Sequence, residues 1–190
     1  MPKSCVISTF LKLTVLFLAV VALAQANLVG FTGPYDPSQW TLSNNPVSVG
    51  GSVDTSGAPS SVALTGGNSN VAGYTTWTIA APAPGTVSFN WSYEAHDIAG
   101  PYYDPAGWIL NGGPTQVTAN YGPNSQSGST SFSVIAGDTF GFYVYTLDGG
   151  FGPGIITPSN FSAPDSVPEP ATLLLVGGPL ILAGLRRRRA

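Results

Sequence analysis

The sequence predicts an all-β domain, a sandwich or barrel, from three observations. Helical periodicity is absent between residues 27 and 163. Short runs rich in Val, Thr and aromatic residues recur there instead, and Gly, Pro, Asn and Ser clusters separate them as turns separate strands. The 24 glycines and 17 prolines stay below the share that marks disorder, while 4 Trp, 8 Tyr and 9 Phe supply apolar surface for a core. A region of about 140 residues is one domain by length.

Taken in order, the chain opens with Lys3 and Lys12, an apolar run from Leu13 to Leu23, and the small-x-small pattern Ala24-Gln25-Ala26. That is a signal peptide over 1–26, cut by signal peptidase before Asn27. Cys5, the only cysteine, precedes the apolar run, so neither lipidation nor a disulfide is expected of the exported chain. Strands are expected at about 28–33, 39–43, 47–53, 61–65, 71–80, 85–94, 106–111, 115–120, 129–136, 139–147 and 155–163. In the sixth of these, Val87, Phe89, Trp91 and Tyr93 alternate with Ser88, Asn90, Ser92 and Glu94, which makes one face core and the other wet. Further on, Phe142 and Val144 share one face while Tyr143, Tyr145 and Leu147 take the other, as suits a central strand or an occupied concave face. Asn111-Gly112 and Ala136-Gly137-Asp138 carry hairpin chemistry.

All six basic residues are Lys3, Lys12 and Arg186 to Arg189. Between Asn27 and Ser166 stand Asp36, Asp54, Glu94, Asp97, Asp104, Asp138, Asp148 and Asp165 with no positive charge. Phosphate backbones are held by Lys and Arg, so nucleic-acid binding is excluded. Acidic surfaces attract divalent cations instead.

The C-terminus has three parts. Pro168-Glu169-Pro170 ends a stalk over 164–170, where each proline fixes its own φ and bars the preceding residue from a helix. The apolar run over 171–185 follows, roughly 22 Å of helix against a hydrocarbon core of about 30 Å. Arg186, Arg187, Arg188 and Arg189 then form a basic tail over 186–190, cytoplasmic by the positive-inside rule. This arrangement resembles the PEP-CTERM sorting signal of Gram-negative bacteria. The resemblance implies an exosortase as partner, insertion of the apolar helix in the inner membrane, cleavage near the Pro-Glu-Pro triplet, and delivery to the cell surface or extracellular matrix. An ordinary tail anchor is the plainer alternative.

The segment from Thr86 to Ala163 resembles a β-sandwich ectodomain found in front of such tails, through Val87 to Trp91, Tyr103 to Trp108, Leu110 to Gly112, Ala136 to Phe142 and Ser159 to Ser162. The resemblance implies a single jelly-roll-like β-sandwich over 27–163.

The densest polar constellation is Glu94, Asp97 and Asp104, joined by Asp148. Hard oxygen ligands of this kind are a candidate calcium site, and the plain alternative is that the aspartates close turns. Catalysis finds little footing. His96 is the only histidine, no Gly-x-Ser-x-Gly elbow accompanies it, and Glu94 with Asp97 or Asp148 is the one carboxylate pairing suited to glycoside hydrolysis. Phe89, Trp91, Phe132, Phe140 and Phe142 are expected in the core, leaving Tyr102, Tyr103, Trp108, Tyr121, Tyr143, Tyr145 and Phe151. Of these, Trp108, Tyr102, Tyr103, Tyr143 and Tyr145 are the candidate ligand-binding residues, provided three or more rings gather beside the acidic loop. The expected function is a structural, adhesive or carbohydrate-binding role in extracellular polysaccharide, without enzymatic activity. A secreted carbohydrate-active enzyme is the alternative, as is an ice- or surface-binding protein, which needs a regular threonine array that the strand pattern does not supply.

Overall fold

The computed structural model describes residues 27–165. The expected signal peptide, the Pro-Glu-Pro motif, the apolar helix and the arginine cluster lie outside the described residues. Within them run eleven strands: β1 (Asn27–Val29), β2 (Thr41–Asn45), β3 (Ser52–Asp54), β4 (Ala63–Thr65), β5 (Gly73–Ala80), β6 (Gly85–Ala95), β7 (Ala106–Leu110), β8 (Gly113–Gln116), β9 (Ser125–Val134), β10 (Thr139–Thr146) and β11 (Gly154–Pro164). The described residues hold no helix long and apolar enough to cross a membrane.

The strands form two antiparallel sheets. One has the order β3-β4-β11-β6-β9 with β1 also on β11, and the other has the order β2-β5-β10-β7-β8. From β4 onward successive strands interleave to give β4-β11-β6-β9 facing β5-β10-β7-β8. That is a jelly roll, two Greek keys folded into a sandwich. One edge of β11 serves two partners, since β4 pairs with Ile155 and Ile156 while β1 pairs with Ser162 to Pro164.

Aromatic side chains join the layers. Phe89 of β6 meets Phe142 of β10 edge-on, ring centroids 4.9 Å apart. Phe31 stacks on Phe161 of β11 at 4.7 Å, and Trp40 stacks on Trp77 of β5 at 4.2 Å. Phe31, Tyr35 and Trp40 come from the connection between β1 and β2, which winds through two short 3-10 helices rather than continuing as the expected strand to residue 33. Tyr35 is wholly buried and its hydroxyl donates to the Pro164 carbonyl at 2.6 Å. Burial first, and Asp165 second, push that hydroxyl well above the ordinary tyrosine range.

β6 alternates as its sequence predicts, with Val87, Phe89, Trp91, Tyr93 and Ala95 buried. Phe140 and Phe142 are buried too, and Phe132 packs against the same core. The expected strand at 47–53 is half 3-10 helix, because Val49 N–H turns back to the Pro46 carbonyl and Gly50 takes a left-handed φ of 76°. The strand expected at 115–120 stops at Gln116, where Val117 and Thr118 both give their N–H groups to the Ala106 carbonyl. β9 begins four residues ahead of expectation. Its first half, Ser-Gln-Ser-Gly-Ser, carries no apolar signal because the inner position opposite Trp91 is Gly128, where a Cβ would come within 2.8 Å of the indole.

Candidate functional site

Three connections meet at one end of the sandwich: residues 96–105 after β6, 117–124 after β8 and 147–153 after β10. Backbone bonds stitch them together. Ala95 N–H donates to Asn124 O at 2.8 Å, His96 N–H to Pro153 O at 3.1 Å, Tyr145 N–H to Pro105 O at 2.9 Å and Leu147 N–H to Tyr103 O at 2.7 Å. The side chain of Gln126 holds the second connection as a clamp. Its amide nitrogen donates to Ala119 O at 3.0 Å and Pro123 O at 2.9 Å, while its oxygen accepts the Ala119 N–H at 2.7 Å.

Upon this frame Tyr102 and Tyr121 lie parallel, centroids 5.6 Å apart and planes 16° apart, with Tyr103 edge-on to Tyr102 at 5.2 Å. Tyr121 is 90% exposed and Ile98 83%. The three rings, with Ile98, Pro101 and Asn124, line an open groove of about 580 Å³. Three tyrosines thus gather beside the acidic loop. Tyr121 stands outside the candidate set although its turn, Asn120-Tyr121-Gly122, marks it as a loop-tip aromatic.

The other candidate rings do not join this groove. Trp108 is a correction: it faces inward on β7, stacks on Phe132 at 4.1 Å with planes 8° apart, and packs against the core. Its register explains this, since Trp108 stands opposite Phe142, the inward residue of β10. Tyr143 and Tyr145 form a separate cluster with Tyr74 on the outer face of the five-stranded sheet, at 5.8 and 4.6 Å. β10 is the central strand of that sheet, and this is where its two-sided apolarity goes. Tyr143 is 4% exposed, and burial, with Tyr74 beside it, pushes its hydroxyl up to about 12.

The acidic residues also divide. Glu94 alternates outward on β6, opposite Tyr93, and its carboxylate accepts a hydrogen bond from the Ser125 hydroxyl. Asp97 and Asp104 turn inward and are wholly buried. The turn chemistry expected of the aspartates is present: Asp97 Oδ1 accepts the Ala99 N–H at 2.6 Å and Asp148 Oδ1 the Gly150 N–H at 3.0 Å. Yet Asp97 Oδ2 and both carboxylate oxygens of Asp104 are buried with no hydrogen-bond partner. Burial raises the Asp104 carboxyl to about 7, and the charges of Asp97 and Asp148 push the same way. The Thr146 hydroxyl and Gly154 N–H beside it pull downward without reaching hydrogen-bond geometry with either oxygen. Tyr93 bridges strand and loop by donating its hydroxyl to the Asp104 carbonyl at 2.8 Å.

Among the described residues no three His, Cys, Asp or Glu side chains converge as a metal cluster. The four-carboxylate calcium set is therefore corrected: Glu94 lies on the outer face, away from Asp97 and Asp104. The same sidedness turns Glu94 outward and Asp97 inward.

No family model matches the chain, and no curated protein matches it. Among solved structures it is similar to a family 35 carbohydrate-binding module from Clostridium thermocellum, at 14% identity and a TM-score of 0.35 over 70% of this chain and 97% of that one. It is similar to the Podospora anserina GH26-CBM35 β-(1,4)-mannanase at 18% identity and a TM-score of 0.39, over 77% of this chain and 29% of that one. A CBM35 from Paenibacillus barcinonensis matches at 13% identity and a TM-score of 0.33, over 75% and 99%. Likenesses this distant carry no argument about a ligand.

Proposed function

We propose that the protein is exported, processed by an exosortase at Pro168-Glu169-Pro170, and kept at the cell surface or in the extracellular matrix, where the groove of Tyr102, Tyr103 and Tyr121 binds polysaccharide. The observation that carries this reading is the exposed, parallel pair Tyr102 and Tyr121 at the rim of an open groove. Rigid apolar rings with hydroxyl edges suit the faces of sugar rings, and an open groove admits a polymer. The chain from Asn27 to Asp165 contains no Lys or Arg. Its field opposes an anionic polymer, so the favoured ligand is neutral.

Affinity electrophoresis through gels containing neutral polysaccharides tests the groove. Retention by at least one polymer is expected, and Tyr102→Ala with Tyr121→Ala should abolish it while moving the melting temperature by no more than a degree or two, since both rings are exposed. Unchanged retention in the double variant would refute the groove. Sorting is tested separately by mass spectrometry of protein recovered from cells with an active exosortase. The mature form should lack residues 171–190, and Pro168→Ala with Glu169→Ala should leave them attached.

A further inference from the structure

The loop that carries Tyr102 and Tyr103 is anchored beneath by two carboxylates that meet no basic side chain among the described residues. Asp97 and Asp104 are both wholly buried, and three of their four oxygens accept no hydrogen bond. Polar atoms left so are rare in folded proteins, because a buried acceptor gives up water for nothing in return. Among the described residues no counter-ion stands beside them. Between Asn27 and Asp165 there is no Lys or Arg, and the lone His96 points to solvent. Of the groups that face the pair, Asp148 adds a like charge and the Tyr93 hydroxyl is committed to the Asp104 carbonyl, while the Thr146 hydroxyl, whose oxygen already accepts the Gly149 N–H at 2.9 Å, and the Gly154 N–H favour the charged Asp104 without reaching hydrogen-bond geometry with it.

A proton can relieve one carboxylate of such a pair. It binds one of the three bare oxygens, from which the O–H donates to a second, and it leaves the other carboxylate charged. A cation held between the two carboxylates would serve all three at once. We infer that Asp97 and Asp104 form a buried site for a hard divalent cation of the calcium class, completed by backbone carbonyls or water, which fixes the 96–105 loop and with it the Tyr102 and Tyr103 wall of the groove. The donors are oxygens only, which suits calcium or magnesium and not the softer transition metals. An irregular loop with two carboxylates favours calcium, because magnesium demands a near-ideal octahedron. The ion site stands on the buried oxygens alone; only its consequence for ligand retention rests on the groove reading.

The test uses the full chain after chelator treatment at pH 7.5. Calcium should raise the melting temperature by several degrees at a hundredfold excess over its dissociation constant, magnesium by less, and sodium chloride at equal ionic strength by little. Asp97→Asn and Asp104→Asn should each remove the calcium shift while far-ultraviolet circular dichroism stays that of a β protein. Equal shifts from all three salts, or a calcium shift that survives both variants, would overturn the site. So would the absence of any calcium shift. Should either variant fail to fold, terbium luminescence sensitised by tyrosine in the unmutated chain decides: saturable emission displaced by calcium supports the site, and its absence overturns it. Retention on polysaccharide gels run with calcium and with chelator then separates the two readings. Retention indifferent to calcium with the ion bound leaves the site standing and detaches it from the groove; calcium binding without retention under either condition removes the groove alone.

Discussion

The outer face of the six-stranded sheet and the loop end of the sandwich both meet solvent, but they treat their polar groups in opposite ways. Along β9, Ser125, Ser127, Ser129, Ser131 and Ser133 all point outward and are exposed. They stand opposite Glu94, Ser92, Asn90, Ser88 and Thr86 of β6, which in turn face Thr157, Ser159 and Ser162 on β11. The result is a regular, hydroxyl-rich array along paired strands, with β9 at the sheet edge and the Ser125 hydroxyl bonded to Glu94. A regular array was the feature that a surface- or ice-binding role would need, and the fold does build one, although serine dominates it where threonine was required. At the loop end the chain buries three carboxylate oxygens without hydrogen-bond partners and exposes aromatic rings. Strand pairing closes its own hydrogen-bond account, whereas irregular loops leave groups whose partners must come from outside. The loop end is therefore where a ligand has something to gain.

Four measurements break or sharpen that contrast. The largest effect belongs to Trp108→Ala, which should lose roughly 2–4 kcal/mol in urea unfolding, below the top of the cavity range because the ring is only partly buried. Loss of polysaccharide retention at unchanged stability would instead return Trp108 to the binding surface.

Next comes the pH dependence in chelator. The Asp104 carboxyl rises from 3.8 to about 7 on folding, so across that range the folded chain holds a proton that the unfolded chain releases. Its contribution to stability is present below 3.8 and lost as pH climbs through about 7. Asp36, Asp54 and Asp138 act oppositely: hydrogen bonds from Ser38, from Ser56, and from Asn111 with Ile135 hold their carboxyls below the ordinary value, so their contributions disappear as the solution is acidified. Thermal melts should therefore decline from mildly acidic to neutral pH, and Asp104→Asn should flatten the decline. A profile that rises steadily to pH 8 would show that Asp104 is not held in that environment.

A smaller effect is expected of Gln126→Ala. Three hydrogen bonds to the 119–123 turn disappear at the surface, costing about 1 kcal/mol, and Tyr121 loses its support. Retention on polysaccharide should weaken more than stability does. Smallest of all, Ser127→Ala, Ser129→Ala and Ser131→Ala together should change stability by no more than about 0.5 kcal/mol and leave retention intact, since exposed hydroxyls exchange one hydrated surface for another. If retention falls, the hydroxyl face is the binding surface and the contrast reverses.

Much of the framework is legible in the residues themselves. The alternation from Val87 to Tyr93 places one side of β6 in the core, and Asn111-Gly112 closes the β7–β8 hairpin, whereas Gly137-Asp138 makes a turn but not the expected hairpin, because it carries the chain from β9 in one sheet to β10 in the other. Both follow from a local cause, the two-residue period of a pleated strand and the backbone freedom of turn residues. The absence of basic residues between Asn27 and Asp165 is equally plain, and it leaves that region without the side chains that hold phosphate backbones. What only the tertiary structure decided is sidedness and company. Trp108 reads as a spare aromatic until its register against Phe142 turns it inward. Glu94 and Asp97 are three residues apart, yet strand alternation sends one to solvent while the loop buries the other. Tyr121 meets Tyr102 only because the connections after β6 and β8 are brought to the same end, and Gln126 becomes their clamp by the same accident of neighbourhood. Such contacts join residues far apart along the chain, and no periodicity in the sequence encodes which distant loops a strand order will place side by side.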